Sequence, residues 1–165
     1  MLAVLVGIAA RVTMTRSNSA KGVPMNQFDV VVSAGSLRSN DTHAIQFPHR
    51  WTSEGVIVDA AFSGAHLLHL AAAGCVLNDV YREAATLGIQ VDGVRVSAAG
   101  GFDAETWTST GITYSVELSS SATAQELARL LDLVDDVAEI PRAIRAGATV
   151  HRLRGQRQDQ VLPPS

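Results

Sequence analysis

The sequence holds a single cysteine, which excludes an intrachain disulfide framework. A lone thiol fits a reducing compartment, so a cytoplasmic location is expected. Positive charge is scarce too. Thirteen Lys and Arg stand against sixteen Asp and Glu, a formal net charge of −3, and no general affinity for nucleic acid follows. No apolar run approaches the roughly 18–20 residues that span a bilayer, so no membrane partner is expected. Segment 1–10 is apolar but lacks a basic leading region and stops at Arg11, which argues against a secretory signal. Nucleotide and hydrolase signatures are missing as well. No phosphate-loop lysine follows Gly100-Gly101, Asp92-Gly93 lies too close to Gly88 for a dinucleotide fingerprint, and no G-x-S-x-G occurs. Gly100-Gly101 reads as a turn, and no bound cofactor is expected.

What is present suffices for one core. Hydrophobic residues make up 47% of 165 positions, enough for a single globular domain. Residues 1–24 have the look of a poorly ordered extension, because 11–21 is rich in Ser, Thr, Asn and Arg without period. A chain starting at Met25 is expected to keep its stability and activity. The domain is placed at 25–154, and 155–165 reads as a flexible tail.

Within the domain the pattern alternates between periods of two and of 3.6. Residues 28–33 and 42–47 and Val56–Asp59 read as strands, with turns at Ala34-Gly35-Ser36 and Pro48. Ser63 then opens a helix as its N-cap, and Leu67, Leu68, Leu70, Ala71, Val76, Val80 and Leu87 give it a broad apolar face, ended by Gly88. Residues 91–99 and 111–119 read as strands, Ser121 or Thr123 caps a helix over Ala124–Val137, and 148–153 reads as a last strand. The order β-β-β-α-β-β-α-β is an α+β domain with an antiparallel sheet of about six strands. The first helix is short of surface charge before Arg82 and Glu83. A sheet covers only one side of such a helix, so a second copy of the chain is expected on the other, as a homodimer.

Cys75 lies in the middle of that helix, behind Ala71, Ala72, Ala73 and Gly74 and ahead of Asn78 and Asp79. A buried cysteine is ordinarily a small hydrophobe, whereas a reactive one needs a thiolate, which a nearby arginine favours. His66 and His69 stand three apart, but at about 100° per residue Cys75 lies roughly 180° from His66. One straight helix cannot aim all three at a common ion, and no metal is expected.

The residues also support a resemblance. Ser63-Gly64-Ala65-His66-Leu67-Leu68, then Ala71, Ala72 and Cys75, is similar to the S-P-x-E-L-L-x-A-A-x-x-x-C helix of the OsmC/Ohr family, named for osmotically inducible protein C and organic hydroperoxide resistance. Asp79, Leu87-Gly88-Ile89, Gly111-Ile112-Thr113-Tyr114 and Ile144-Arg145-Ala146-Gly147 fit the same family pattern, over about residues 28–150. The resemblance implies an OsmC-like fold with a long central helix and an intertwined homodimer. It also implies a reactive cysteine, an arginine that lowers its pKa, a carboxylate that orients the arginine, and a second, resolving cysteine.

Carried over by position, Cys75 is the reactive cysteine, and Arg38 or Arg50 is the candidate arginine. The family carboxylate falls where this chain has Ala65 and His66. The resolving cysteine falls in a stretch that here reads Val137-Ala138-Glu139-Ile140-Pro141. The resulting expectation is a single-cysteine reductase of organic hydroperoxides recycled by an external thiol. The alternatives are a cofactor-free isomerase, cyclase or hydrolase of a specialised pathway, with His66 as acid–base group beside Asp79, and a binding protein for an apolar small molecule.

Overall fold

The computed structural model describes residues 28–151. Eight elements follow in chain order: β1 (Val30–Gly35), β2 (Ile45–Phe47), β3 (Val56–Asp59), α1 (Gly64–Leu87), β4 (Gly93–Phe102), β5 (Ser109–Ser119), α2 (Ala124–Val137) and α3 (Glu139–Ala146). The strands form one antiparallel sheet in the order β2-β3-β1-β4-β5. Segments 1–27 and 152–165, with the expected extension and tail, lie outside the described residues.

Alternation decides which sheet face is dry. Val30, Val32 and Ala34 of β1 pair with Ala98, Val96 and Val94 of β4, and all six are buried. Val56 and Val58 of β3 and Leu118 of β5 extend that surface, against which Ala73, Val76, Leu77 and Val80 of α1 are packed. Leu127, Leu130, Leu131 and Val134 close the core from α2. Burying a leucine or valine fully removes enough apolar area to contribute about 1.5–3 kcal/mol each, so this interior is the main source of stability.

The caps read from sequence are present. Ser63 Oγ accepts the His66 N–H at 3.3 Å, and Gly88 adopts φ 68° to end α1. Thr123, not Ser121, caps α2 in a reciprocal box with Glu126. The 24 residues of α1 span about 36 Å and run across the sheet, touching β1, β4, α2 and α3.

Three expectations are corrected. Gly100-Gly101 is not a turn but lies in β4, where the register with β5 is irregular between Gly100 and Phe102. Glycine is required at 100 because a Cβ there would meet Gly111 O at 2.2 Å and His69 Nε2 at 2.5 Å. The last strand is absent from residues 148–151, and the sheet has five strands rather than six among the described residues. The stretch ahead of it forms α3, with Gly147 at φ 72° as its C-cap. Pro141 occupies its first turn, where a backbone N–H has no helical acceptor in any case. Arg145 Nη2 fastens α3 to α2 through Asp135 Oδ1 at 2.7 Å, and the Tyr114 hydroxyl of β5 donates to the same carboxylate.

Candidate functional site

Cys75 is half-buried on α1, at the place where the N-terminus of α3 crosses it. Asp79 and Arg82 follow four and seven residues later, a spacing that puts all three on one helix face. The fourth member, Glu139, is the first residue of α3. The Cys75 thiol can donate to Asp79 Oδ2 at 3.6 Å or to Glu139 Oε2 at 3.7 Å. Arg82 Nη1 holds both carboxylates, Asp79 Oδ1 at 2.9 Å and Glu139 Oε1 at 3.3 Å, and its Nε donates to Glu83 Oε1 at 2.7 Å. The cluster therefore has three carboxylates, one guanidinium and one thiol.

Burial and neighbouring charge disfavour the thiolate in this arrangement. Burial pushes its pKa up, and the charges of Asp79 and Glu139 push the same way; the nearby Ile140 backbone N–H opposes them. Asp79 is buried, so its carboxyl is also pushed up, with the Arg82 guanidinium opposing. Glu139, at the surface, is held below the usual carboxylate range by its own backbone N–H and by Arg82. The ligand atoms of Cys75, Asp79 and Glu139 lie within 4.8 Å of one another, a spacing that suits a metal ion, but Arg82 already supplies the positive charge there.

The other candidates stand apart from this cluster. Within the chain, neither Arg38 nor Arg50 is a hydrogen-bond partner of Cys75. Arg38 follows β1, its backbone N–H on Gly35 O at 3.0 Å, and its charge is felt by Glu54. Arg50 is exposed, with its guanidinium carbon 5.8 Å from the centroid of the Trp51 ring. His66 lies nine residues from Cys75, about 13.5 Å along the axis. Its Nδ1 meets Ser63 Oγ at 2.7 Å and its ring meets Phe28 edge-on at 5.2 Å, so it completes the helix cap. His69 is fully buried, with Nδ1–H donating to Ala65 O at 2.6 Å.

Sequence reasoning missed Arg82 and Glu139. Arg82 is legible in retrospect, since it shares the face of Cys75 and Asp79 one turn further on. Glu139 is separated by 64 residues from the thiol. Its only signal is its place in the stretch where the resemblance expects a second cysteine.

A cavity of about 370 Å³ lies beside α1, lined by Leu70, Gly74, Leu77 and Asn78 from the helix, by Phe47 at the end of β2 and by Arg50 from the β2–β3 connection, among others. His49 bridges its two walls, with Nε2 3.1 Å from Asn78 Oδ1 and Nδ1 2.8 Å from Thr52 Oγ1. A second hollow of about 410 Å³ lies nearer the end of α1, beside Tyr81, Glu54 and Asp92. Cys75 lines neither.

One antiparallel sheet folded against one long helix, with a half-buried cysteine at that helix's centre, defines the class of this molecule. The crystal structure of an OsmC-like hydroperoxide resistance protein from Jannaschia sp. CCS1 shares the fold, with a TM-score of 0.50 over 78% of this chain and 94% of that one, at 12% identity. The family model described as OsmC-like protein matches residues 58–151, more than half of the sequence. The chain belongs to the OsmC-like family. No curated protein matches it. No helix among the described residues is long and apolar enough to cross a membrane.

Proposed function

We propose that this protein is a single-cysteine reductase of organic hydroperoxides, recycled by an external thiol. The observation that carries the reading is the grouping of Cys75 with an arginine and two carboxylates, drawn from α1 and α3 rather than from the positions the resemblance assigns. In this reading the thiol passes its proton to Asp79 Oδ2. The sulfur then attacks the distal oxygen of the hydroperoxide, the O–O bond breaks, and the leaving alkoxide takes the proton from Asp79. Sulfur ends as a sulfenic acid and the organic product is an alcohol. Arg82, turned from the carboxylates, stabilises the negative charge that develops.

The assay is consumption of cumene hydroperoxide with excess dithiol. Cys75→Ser is expected to abolish it in a protein whose unfolding midpoint is unchanged, and equal rates for the two proteins exclude the reading.

A second reading, a cofactor-free enzyme of another class on the same fold, is favoured by one observation: the resting thiol is pushed up by burial and by two carboxylates. Sluggish alkylation of Cys75 together with no hydroperoxide consumption decides for it.

We also propose a homodimer. Leu67 and Ala71 are exposed on α1, and Gly74, Cys75 and Arg82 beside them are half covered, a stripe that a second α1 would cover. Sedimentation as a monomer at micromolar concentration excludes it.

A further inference from the structure

We infer that the hollow beside Tyr81 is a binding site for a small organic ammonium, a protonated amine on an apolar body. The site is separate from the thiol cluster, and the inference does not depend on the reductase reading.

The hollow, of about 410 Å³, lies where the end of α1 meets the β2–β3 connection and the residues ahead of β4. That is room for a small organic molecule. Its walls are fixed by their own backbone bonds. Asp92 donates its N–H to Ser119 O and accepts the Ser36 N–H on its carbonyl, each at 2.8 Å. Gly35 is required against it, at φ 63°, since a Cβ there would meet Asp92 O at 2.2 Å. In the β2–β3 connection, Glu54 O accepts from Gln46 Nε2 at 2.8 Å and Thr52 Oγ1 donates to Gly55 O at 3.1 Å. Two carboxylates, those of Asp92 and Glu54, thus reach one hollow from separate segments of the chain.

Tyr81 is the residue that points to an occupant. It lines the hollow from α1 and is 8% exposed, and its buried hydroxyl has no hydrogen-bond partner. A polar atom left in that state is destabilising, and a ligand that supplies the missing bond relieves it. Burial, then the charges of Asp92 and Glu54, push the phenol up to about 12, so it stays neutral and both charges it feels are negative. Glu54 is held below the usual carboxylate range by its own backbone N–H and by Ser53, and so stays ionised at neutral pH. The neighbouring arginines act elsewhere, Arg38 on Glu54 and Arg50 against the Trp51 ring, and neither lines the hollow. A neutral oxygen near two carboxylates accepts a cationic N–H and disfavours an anion. The lining also includes Ala84, Ile89, Val91 and the Trp51 indole, which suit a hydrocarbon or aromatic body rather than a bare metal ion. None of Leu67, Ala71, Gly74, Cys75 and Arg82, the stripe assigned to the second α1 of a homodimer, lines this hollow.

The probe is phenethylamine, titrated into the full chain and followed by amide NMR shifts. 2-Phenylethanol and 3-phenylpropionate serve as neutral and anionic counterparts of the same body. The amine is expected to bind with a Kd of about one millimolar or tighter, shifting Tyr81, Ala84 and Asp92, and both counterparts at least about fivefold more weakly. Glu54→Gln and Asp92→Asn should each weaken the amine about fivefold at low salt, whereas Glu105→Gln, outside the hollow, should not. Tyr81→Phe keeps the ring and removes the unpartnered oxygen. Its unfolding midpoint should be equal or higher while its affinity for the amine falls about threefold or more. No binding of the amine at about ten millimolar overturns the inference, as does equal affinity for the alcohol. A loss in Glu105→Gln as large as in Glu54→Gln overturns it too, because the attraction is then to an acidic protein in general. A lowered midpoint in Tyr81→Phe shows that the hydroxyl already has a partner within the fold, and the inference falls with it.

Discussion

Removing the Asp79 charge is the perturbation that separates an encumbered thiol from an activated one. Asp79→Asn is nearly isosteric and takes one negative charge from a point 3.6 Å from Sγ. With an effective dielectric constant between about 40 and 80, that charge raises the energy of the thiolate by about 1–2 kcal/mol, or about one to two pKa units. Arg82 also loses a partner, and its guanidinium is freed toward the sulfur. The apparent pKa of Cys75 is therefore expected to fall by about one unit or more. Reactivity at pH 7 rises less than the thiolate fraction, because a thiolate of lower pKa is a weaker nucleophile with a Brønsted slope near 0.4–0.5. The net gain is about fivefold.

The assay is alkylation by iodoacetamide followed by intact mass from pH 6.5 to 10.5. The two profiles should cross: the variant is faster at neutral pH and levels off at a lower plateau. An unchanged or raised pKa in Asp79→Asn refutes the arrangement described, because no carboxylate beside a thiol acts in that direction. The sign for the wild-type thiol follows from its raised pKa. Protonation prevails below it, so alkylation should still be climbing above the ordinary cysteine value of about 8.5.

Arg82→Ala removes the one cation of the cluster and should shift the same alkylation profile upward, slowing modification at pH 7 about tenfold. Arg38→Ala and Arg50→Ala should leave it in place; a shift in either would show that this arginine reaches the sulfur, from the partner subunit of a dimer. Gly100→Ala drives a methyl group against a backbone carbonyl and should cost about 2–3 kcal/mol in urea unfolding, and an unchanged midpoint would contradict the close approach of β4 and β5 there. Leu127→Ala, at a position 1% exposed beneath α2, should cost about 3 kcal/mol by the same measurement.

How much of this was legible in the sequence differs between elements for physical reasons. α1 was readable almost to the residue, because Ser63, the apolar spacing and Gly88 are local signals that act through hydrogen bonds of the helix itself. α2 was readable for the same reason, since its capping box is written within four residues. Strand ends were less exact. Residues 28–33 read as the first strand, whereas β1 runs from Val30 to Gly35, because its partners Asp59, Ala98 and Gly93 decide where pairing stops. α3 was not read from its own residues, because eight of them carry little period, and only the resemblance touched it, through Ile144-Arg145-Ala146-Gly147. The resemblance to the OsmC/Ohr pattern was carried by residues spread along most of the chain, and the family match and the shared fold agree with it.

The sequence alone determined which residue types are available: one thiol, no second cysteine, and an acid four residues beyond the first. It also determined that Cys75, Asp79 and Arg82 share a helix face, because 3.6 residues per turn leave no other choice. It could not determine what meets that face. The sulfur's surroundings depend on where α3 lands after two strands and a second helix, and this is set by packing of the Leu127–Val134 surface and by the tie of Arg145 to Asp135. Only the tertiary structure brings Glu139 to 3.7 Å from the thiol and joins it to Arg82. Local spacing is encoded in the backbone's own period, whereas contacts across 64 residues exist only once the core has closed.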